Sequence, residues 1–196
     1  MKKILSLLLC LSPLFFSGCG SLPTPKIPPQ KIETITLEKG VFIEIDKLFP
    51  LPFEGVYLQR LTSTFKGKTH EFFVHLTLTP NTFKAVAFND IAGQLYELNW
   101  HADTLTWAPS SFIPEHFNPQ YILADFLITH LPVKTLQKQL KGATVLETKN
   151  KRILQKGDII LREITYGNAV QTPLKNAHLK NPQHQYDLDI KTVGFP

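Results

Sequence analysis

The chain has almost no cysteine. Two occur in 196 residues, Cys10 and Cys19, both near the start. The body of the protein therefore has neither a disulfide scaffold nor a Cys-built zinc site. Charge is also sparse: 19% of residues are charged, below the usual quarter. The 43% hydrophobic content is ordinary for a globular chain and excludes global disorder. Apolar runs are short. The longest, Ile4–Phe16, is interrupted by Ser6, Ser12 and Pro13 and falls short of the roughly 20 residues that span a bilayer, so a polytopic membrane protein is excluded. Catalytic signatures are missing too. The seven histidines (70, 75, 101, 116, 130, 178 and 184) include no i, i+4 pair around a Glu, so no zincin motif exists. His70 and His75 lie five apart on an expected strand, hence on opposite faces. There is no P-loop, no Gly-x-Gly-x-x-Gly and no Gly-x-Ser-x-Gly elbow. No enzyme activity, cofactor or metal site is expected.

What is present begins with an address. Met1-Lys2-Lys3 is a basic n-region, the apolar run follows, and Ser17-Gly18-Cys19 closes it. This is a secretory signal ending in a lipobox. Cysteine is required there because its thiol takes a diacylglycerol. Phe16 departs from the aliphatic residue usual at that position. Cys19 is thus the expected lipidation site, with residues 1–18 as signal peptide. Removing those eighteen leaves 178 residues. Loss of Lys2 and Lys3 lowers the net charge from +5 to +3. Each buried acyl CH₂ contributes about 0.8 kcal/mol, so two or three chains hold the protein firmly on a bilayer. Gly20-Ser21 follows the cysteine where an inner-membrane retention signal carries Asp. Outer-membrane anchoring with the domain on the periplasmic face is expected.

Residues 19–31 contain Pro23, Pro25, Pro28 and Pro29. Proline fixes φ and lacks a backbone donor, so this stretch is expected to be a spacer without helix or sheet, holding the domain of residues 32–196 roughly 30 Å from the bilayer. From Ile32 the apolar period is two. Strands are expected over Ile32–Thr36, Val41–Ile45, Glu54–Thr64, Thr69–Leu78, Thr82–Phe88, Gln94–Trp100 and Thr104–Ala108, with turn residues between them. Phe72, Val74, Leu76 and Leu78 share one face; Tyr96, Leu98 and Trp100 share another. Pro109, Pro114 and Pro119 mark a loop. A helix then runs from Pro119, capped by Asn118, to Leu131, and a shorter one over Val133–Leu140 stops at Gly142. Strands resume over Thr144–Thr148, Arg152–Gln155, Asp158–Tyr166 and Tyr186–Val193. Strands, helices, strands is an α+β order: a curved antiparallel sheet with helices on one face.

Asp125 is the one acid inside the apolar helix. Such a residue more often bonds a strand arginine than performs acid catalysis. Arg60, Arg152 and Arg162 are the candidate partners, and a hydrolase built on Asp125 and a histidine is the rival. The small, dispersed positive charge shows no basic run with interleaved aromatics, so nucleic acid is not an expected partner.

Four segments resemble a known family. PNTFKAVAFNDIAGQLYELNWHADTLTW (Pro80–Trp107) and ILREITY (Ile160–Tyr166) are similar to parts of the LolA/LolB lipoprotein-carrier family. ILADFLITHLP (Ile122–Pro132) and YDLDIKTV (Tyr186–Val193) are similar to bacterial lipoproteins placed beside LolB. The resemblance spans about Ile35–Val193. It implies a half-open β-barrel with helices packed on its concave face and an interior that holds acyl chains. The cargo would be a lipoprotein or an envelope lipid such as an aryl polyene, and the delivering partner a periplasmic LolA-like carrier. The chain itself is expected to be a monomer. Phe72, Val74, Leu76, Tyr96, Leu98, Trp100, Ile122 and Phe126 are the expected lining residues. In the loop before Gly93 the resemblance implies an exposed apolar residue that approaches the membrane: Ile91, or Ala92 if the match shifts by one. A structural envelope lipoprotein with a filled core and no cargo is the alternative.

Overall fold

The computed structural model of the chain describes residues 27–45, 51–115, 117–167, 174 and 176–194. The signal peptide and Cys19 lie outside these residues. Fourteen strands and two helices are formed among them. In chain order they are β1 (Ile27–Lys31), β2 (Thr34–Glu38), β3 (Val41–Glu44), β4 (Gly55–Phe65), β5 (Lys68–Thr79), β6 (Thr82–Asn89), β7 (Gly93–His101), β8 (Thr104–Pro109), α1 (Gln120–His130), α2 (Val133–Gln139), β9 (Leu140–Lys141), β10 (Thr144–Glu147), β11 (Lys151–Lys156), β12 (Ile159–Tyr166), β13 (Ala177–Asn181) and β14 (Tyr186–Gly194).

Eleven strands make one antiparallel sheet in the order β1-β8-β7-β6-β5-β4-β14-β13-β12-β11-β10. It is two meanders, β4–β8 and β10–β14, joined where β14 pairs with β4 from Tyr186↔Phe65 onward. Period-two alternation sets the buried face: on β5, Val74, Leu76 and Leu78 are buried while their neighbours are half-exposed. Phe83 of β6 and Arg152 of β11 both touch α1, at Phe126 and at the Ile128 carbonyl. These strands lie six spacings apart, roughly 29 Å in a flat sheet at about 4.8 Å each. A helix is only about 10–12 Å across. The sheet is therefore curved, and with β1 and β10 at its two ends it is unclosed.

Three findings depart from the sequence reading. First, part of the proline spacer is a strand: β1 pairs with β8 through Ile27↔Trp107, Gln30↔Leu105 and Lys31↔Thr104, with a register shift between Ile27 and Gln30. Prolines are tolerated on an edge strand or at a bulge, and Pro28-Pro29 occupies both, so residues 27–31 of the expected spacer are paired backbone. Second, β2, β3 and β9 form a separate three-stranded sheet. Third, β13 fills the gap left between β12 and β14.

α1 carries seven consecutive buried residues, Leu123–Thr129. A helix that is apolar all round must be covered all round, and β2 of the small sheet packs on it as well as the large sheet. Asn118 acts at its start as expected, its Oδ1 accepting the Gln120 N–H at 3.0 Å. The last turn leaves carbonyls without helical partners. Arg152 donates to the Ile128 and Thr129 carbonyls, and the Tyr166 hydroxyl donates to Thr129 at 2.8 Å. Where the chain leaves β9 its backbone lies close to the β2–β3 turn: a Cβ on Gly142, which has φ +75°, would stand 1.9 Å from the Gly40 carbonyl oxygen.

Candidate functional site

The eight expected lining residues are brought together. Val74, Leu76, Tyr96, Leu98, Trp100 and Phe126 are buried in one contiguous cluster, and Phe72 and Ile122 pack against it half-buried. Alternation on β5 and β7 turns each strand's set inward. Phe126 is central: its ring lies 4.7 Å from Phe83 and 5.8 Å edge-on from Phe53. Tyr96 leans on Trp107 at 5.1 Å. Side chains of α1 thus fill the space beside the sheet residues. The Tyr96 hydroxyl is held above its usual pKa by burial.

A polar knot sits inside this apolar region. Asp125 on α1 is 7% exposed and Arg162 on β12 is wholly buried. Arg162 Nε donates to Asp125 Oδ1 at 3.2 Å, and the Tyr186 hydroxyl donates to Oδ2. Arg162 Nη1 donates to the Leu161 carbonyl at 2.8 Å, while its Nη2 has no hydrogen-bond partner among the described residues. The guanidinium also lies 5.9 Å from the Tyr186 ring centre. Burial pushes the Asp125 carboxyl above the usual range, opposed by Arg162 and by the Tyr186 hydrogen bond. Burial, then the neighbouring Asp125, raises Tyr186. Of the three candidate arginines, Arg162 is the partner. Arg60 instead lies 3.9 Å from Glu71 at the surface, and Arg152 pairs with Glu147. His184 faces Glu38 at 3.1 Å. No serine or threonine hydroxyl is bonded to Asp125 among these contacts, and the carboxylate is engaged on both oxygens. This is the geometry of a clamp between helix and sheet.

The β6–β7 hairpin has the form the loop reading requires. Asn89 Oδ1 accepts the N–H groups of Ile91 and Ala92, at 3.1 and 2.7 Å, and Gly93 takes φ +66°. That turn leaves Ile91 95% exposed and Ala92 half-buried. A feature missed from sequence is a cavity of about 200 Å³ between β1, β8 and the approach to α1, lined by Pro28, Gln30, Leu105, Trp107, Phe117, Asn118 and Pro119. None of the eight expected lining residues borders it. It became legible only once β1 was paired, because Pro28-Pro29 reads as a strand breaker.

A family model described as a protein of unknown function, DUF3261, matches residues 56–194. The chain belongs to this family. No curated protein matches it. The DUF3261 match runs from β4 to β14 and so contains the whole Asp125–Arg162–Tyr186 knot and the Ile91 hairpin. It leaves out β1 and the β2–β3 hairpin, the parts that close the cavity at β8 and cover α1.

Proposed function

We propose that this DUF3261 protein is an outer-membrane-anchored, periplasm-facing lipoprotein whose half-barrel holds the acyl part of a lipid or lipoprotein cargo and passes it toward the membrane without covalent chemistry. The observation that supports this is the ratio of sheet to helix. Eleven strands curve and stop without closing, while the longer of the two helices, α1, has only eleven residues. In this reading α1 lies on the concave face, as in a LolB-like half-barrel. An unclosed seam lets α1 shift as a unit, baring Val74, Leu76, Tyr96, Leu98 and Trp100 to an acyl chain. Burial is worth about 25 cal/mol per Å² in trough and bilayer alike, so net transfer follows small affinity differences. Ile91 is the residue that touches the membrane during transfer, and a LolA-like carrier is the delivering partner.

The test is mass spectrometry of lipid that copurifies with the protein, together with binding of a fluorescent fatty acid. Bound lipid and saturable binding are expected. Finding neither one refutes the carrier reading. Ile91→Glu is expected to slow transfer of bound fatty acid to vesicles while leaving its binding intact. Equal loss of both would count against the loop.

A second reading is a structural envelope lipoprotein with no cargo. It is favoured by the filled interior and by the Asp125–Arg162 clamp, which ties α1 to β12. Absence of lipid in both assays is its expected result.

A further inference from the structure

Strand pairing sorts the turns of the large sheet into two ends. The β4–β5, β6–β7, β11–β12 and β13–β14 turns fall at one end, because Phe65 pairs with both Lys68 and Tyr186, Phe73 with Phe88, and Lys156 with Ile159. The β5–β6 and β7–β8 turns fall at the other, where the Ala102 N–H donates to the Asn81 carbonyl. Exposed apolar side chains are not shared evenly between these ends. Nine large ones stand exposed among the described residues, and six lie at the first end: Phe65, Phe88, Ile91, Phe112, Ile159 and Ile160. Phe112 belongs there because β8 runs toward the start of β7, with Ser110 N–H bonded to the Leu95 carbonyl at 2.8 Å. The far end presents Asn81, Ala102 and Asp103, and only Leu146 and Val193 among the nine lie toward it. Single exposed apolar residues need no explanation, but a contiguous set marks a contact surface.

The path of the chain says what covers this rim. β1 is antiparallel to β8 with Ile27 at Trp107 and Lys31 at Thr104. The polypeptide therefore enters β1 from the rim end. Ile27 is eight residue steps from Cys19, under about 29 Å even when fully extended. An acyl anchor on Cys19 is thus within reach of a bilayer lying at the rim. The rim also carries headgroup chemistry: Lys66, at the tip of the β4–β5 hairpin, places its ammonium 5.1 Å from the Phe65 ring centre, with Lys68 beside it. Lys156 stands at the β11–β12 turn, and Asp90 and Asp158 on the neighbouring tips nearly balance these three lysines, so apolar insertion outweighs net charge.

We infer that this rim is a membrane-docking face: the domain stands with its hairpin tips on the bilayer that holds its lipid, inserting Phe65, Ile91, Phe112 and Ile159 into the interface. The inference deepens the anchored-lipoprotein reading and rests on acylation of Cys19. It adds an orientation and three further hairpin or loop contacts to the Ile91 loop.

The experiment uses the acylated full chain in vesicles of phosphatidylcholine with a minor share of phosphatidylglycerol. Single cysteines replacing Phe112, Ile159 or Asn81 carry a polarity-sensitive fluorophore, and spin-labelled lipid is the quencher. Blue-shifted, quenched emission is expected at Phe112→Cys and Ile159→Cys, and water-like, unquenched emission at Asn81→Cys. Phe65→Glu combined with Ile91→Glu should reverse the blue shift at Phe112→Cys while the protein still floats with the vesicles. Equal emission at both ends, or no response to the Glu pair, overturns the docking face. A chain that does not float refutes the anchor and this inference together. Copurified lipid with a water-like rim refutes the inference alone, and a quenched rim without copurified lipid refutes the cargo reading alone.

Discussion

Asp125→Ala is expected to be among the most damaging single changes in the domain. It removes the carboxylate from a wholly buried Arg162 whose Nη2 is already without a partner among the described residues. What remains is a cation inside apolar packing, held among the described residues by the Leu161 carbonyl and the face of Tyr186. Breaking a buried ion pair from one side costs about 3–5 kcal/mol, because the surviving charge stays desolvated. For a domain of this size each kcal/mol moves the melting temperature by roughly 2–4 °C, so a fall of about 6–20 °C is expected. The assay is thermal and urea unfolding followed by far-UV circular dichroism. The decisive comparison is the double variant Asp125→Leu with Arg162→Met. Replacing both charges by apolar groups of similar volume is often neutral or stabilising, so the double variant should recover most of the loss. A single variant within about 1 kcal/mol of wild type would refute the clamp. A double variant no better than the single would show that Asp125 acts through something other than Arg162. Should Asp125 instead be a catalytic acid, its loss would leave the unfolding curve unchanged.

Two further perturbations probe the rest of the framework. Gly142→Ala would place a Cβ 1.9 Å from the Gly40 carbonyl oxygen on a backbone at φ +75°. With positive φ alone costing roughly 1 kcal/mol, the overlap should raise the loss above about 2 kcal/mol in urea unfolding, whereas Gly157→Ala, which meets nothing, should show only the φ cost. The Tyr166 phenol is pushed up to about 12, chiefly by burial. Its neutral form is the one the folded state keeps, so its contribution is whole below the ordinary tyrosine value near 10 and disappears as pH rises through 12. That amounts to roughly 2–3 kcal/mol. Urea unfolding between pH 9 and 12 should show the decline, and Tyr166→Phe should remove this residue's share of it; an unchanged slope would place the alkaline sensitivity elsewhere.

Most strands were legible because period-two burial is a local signal that survives without tertiary information. On β5 and β7 each residue chosen for the inner face is on it. The helix was legible for the opposite reason: Tyr121–Leu131 is apolar on nearly every side, and the structure encloses it between two sheets. What sequence could not supply were pairings between distant segments. β1 was hidden because Pro28-Pro29 forbids a central strand yet suits an edge, and only the position of β8 distinguishes the two. The small sheet was hidden because an isolated hairpin, β2–β3, carries no mark of which sheet it joins. It is recruited by the two-residue β9, at Phe42↔Lys141 and Ile43↔Leu140.

The site shows the same boundary more sharply. Alternation can say that Val74, Leu76, Leu98 and Trp100 face inward, but it cannot say what they face. A trough wall and a packed core demand identical residues at identical spacing, since both need only apolar side chains turned from water. The difference lies in what holds the occupant. If α1 were held by apolar contact alone, its place and an acyl chain's place would be interchangeable, each worth about 25 cal/mol per Å². The Asp125–Arg162 pair breaks that equivalence, because displacing α1 separates two buried charges that an acyl chain cannot satisfy. Cargo entry therefore requires either that water reach this pair or that the knot travel with the β10–β14 half of the sheet. Exchange of the backbone amide of Arg162, followed with and without bound fatty acid, separates these routes: hydration exposes β12, and concerted movement leaves it protected.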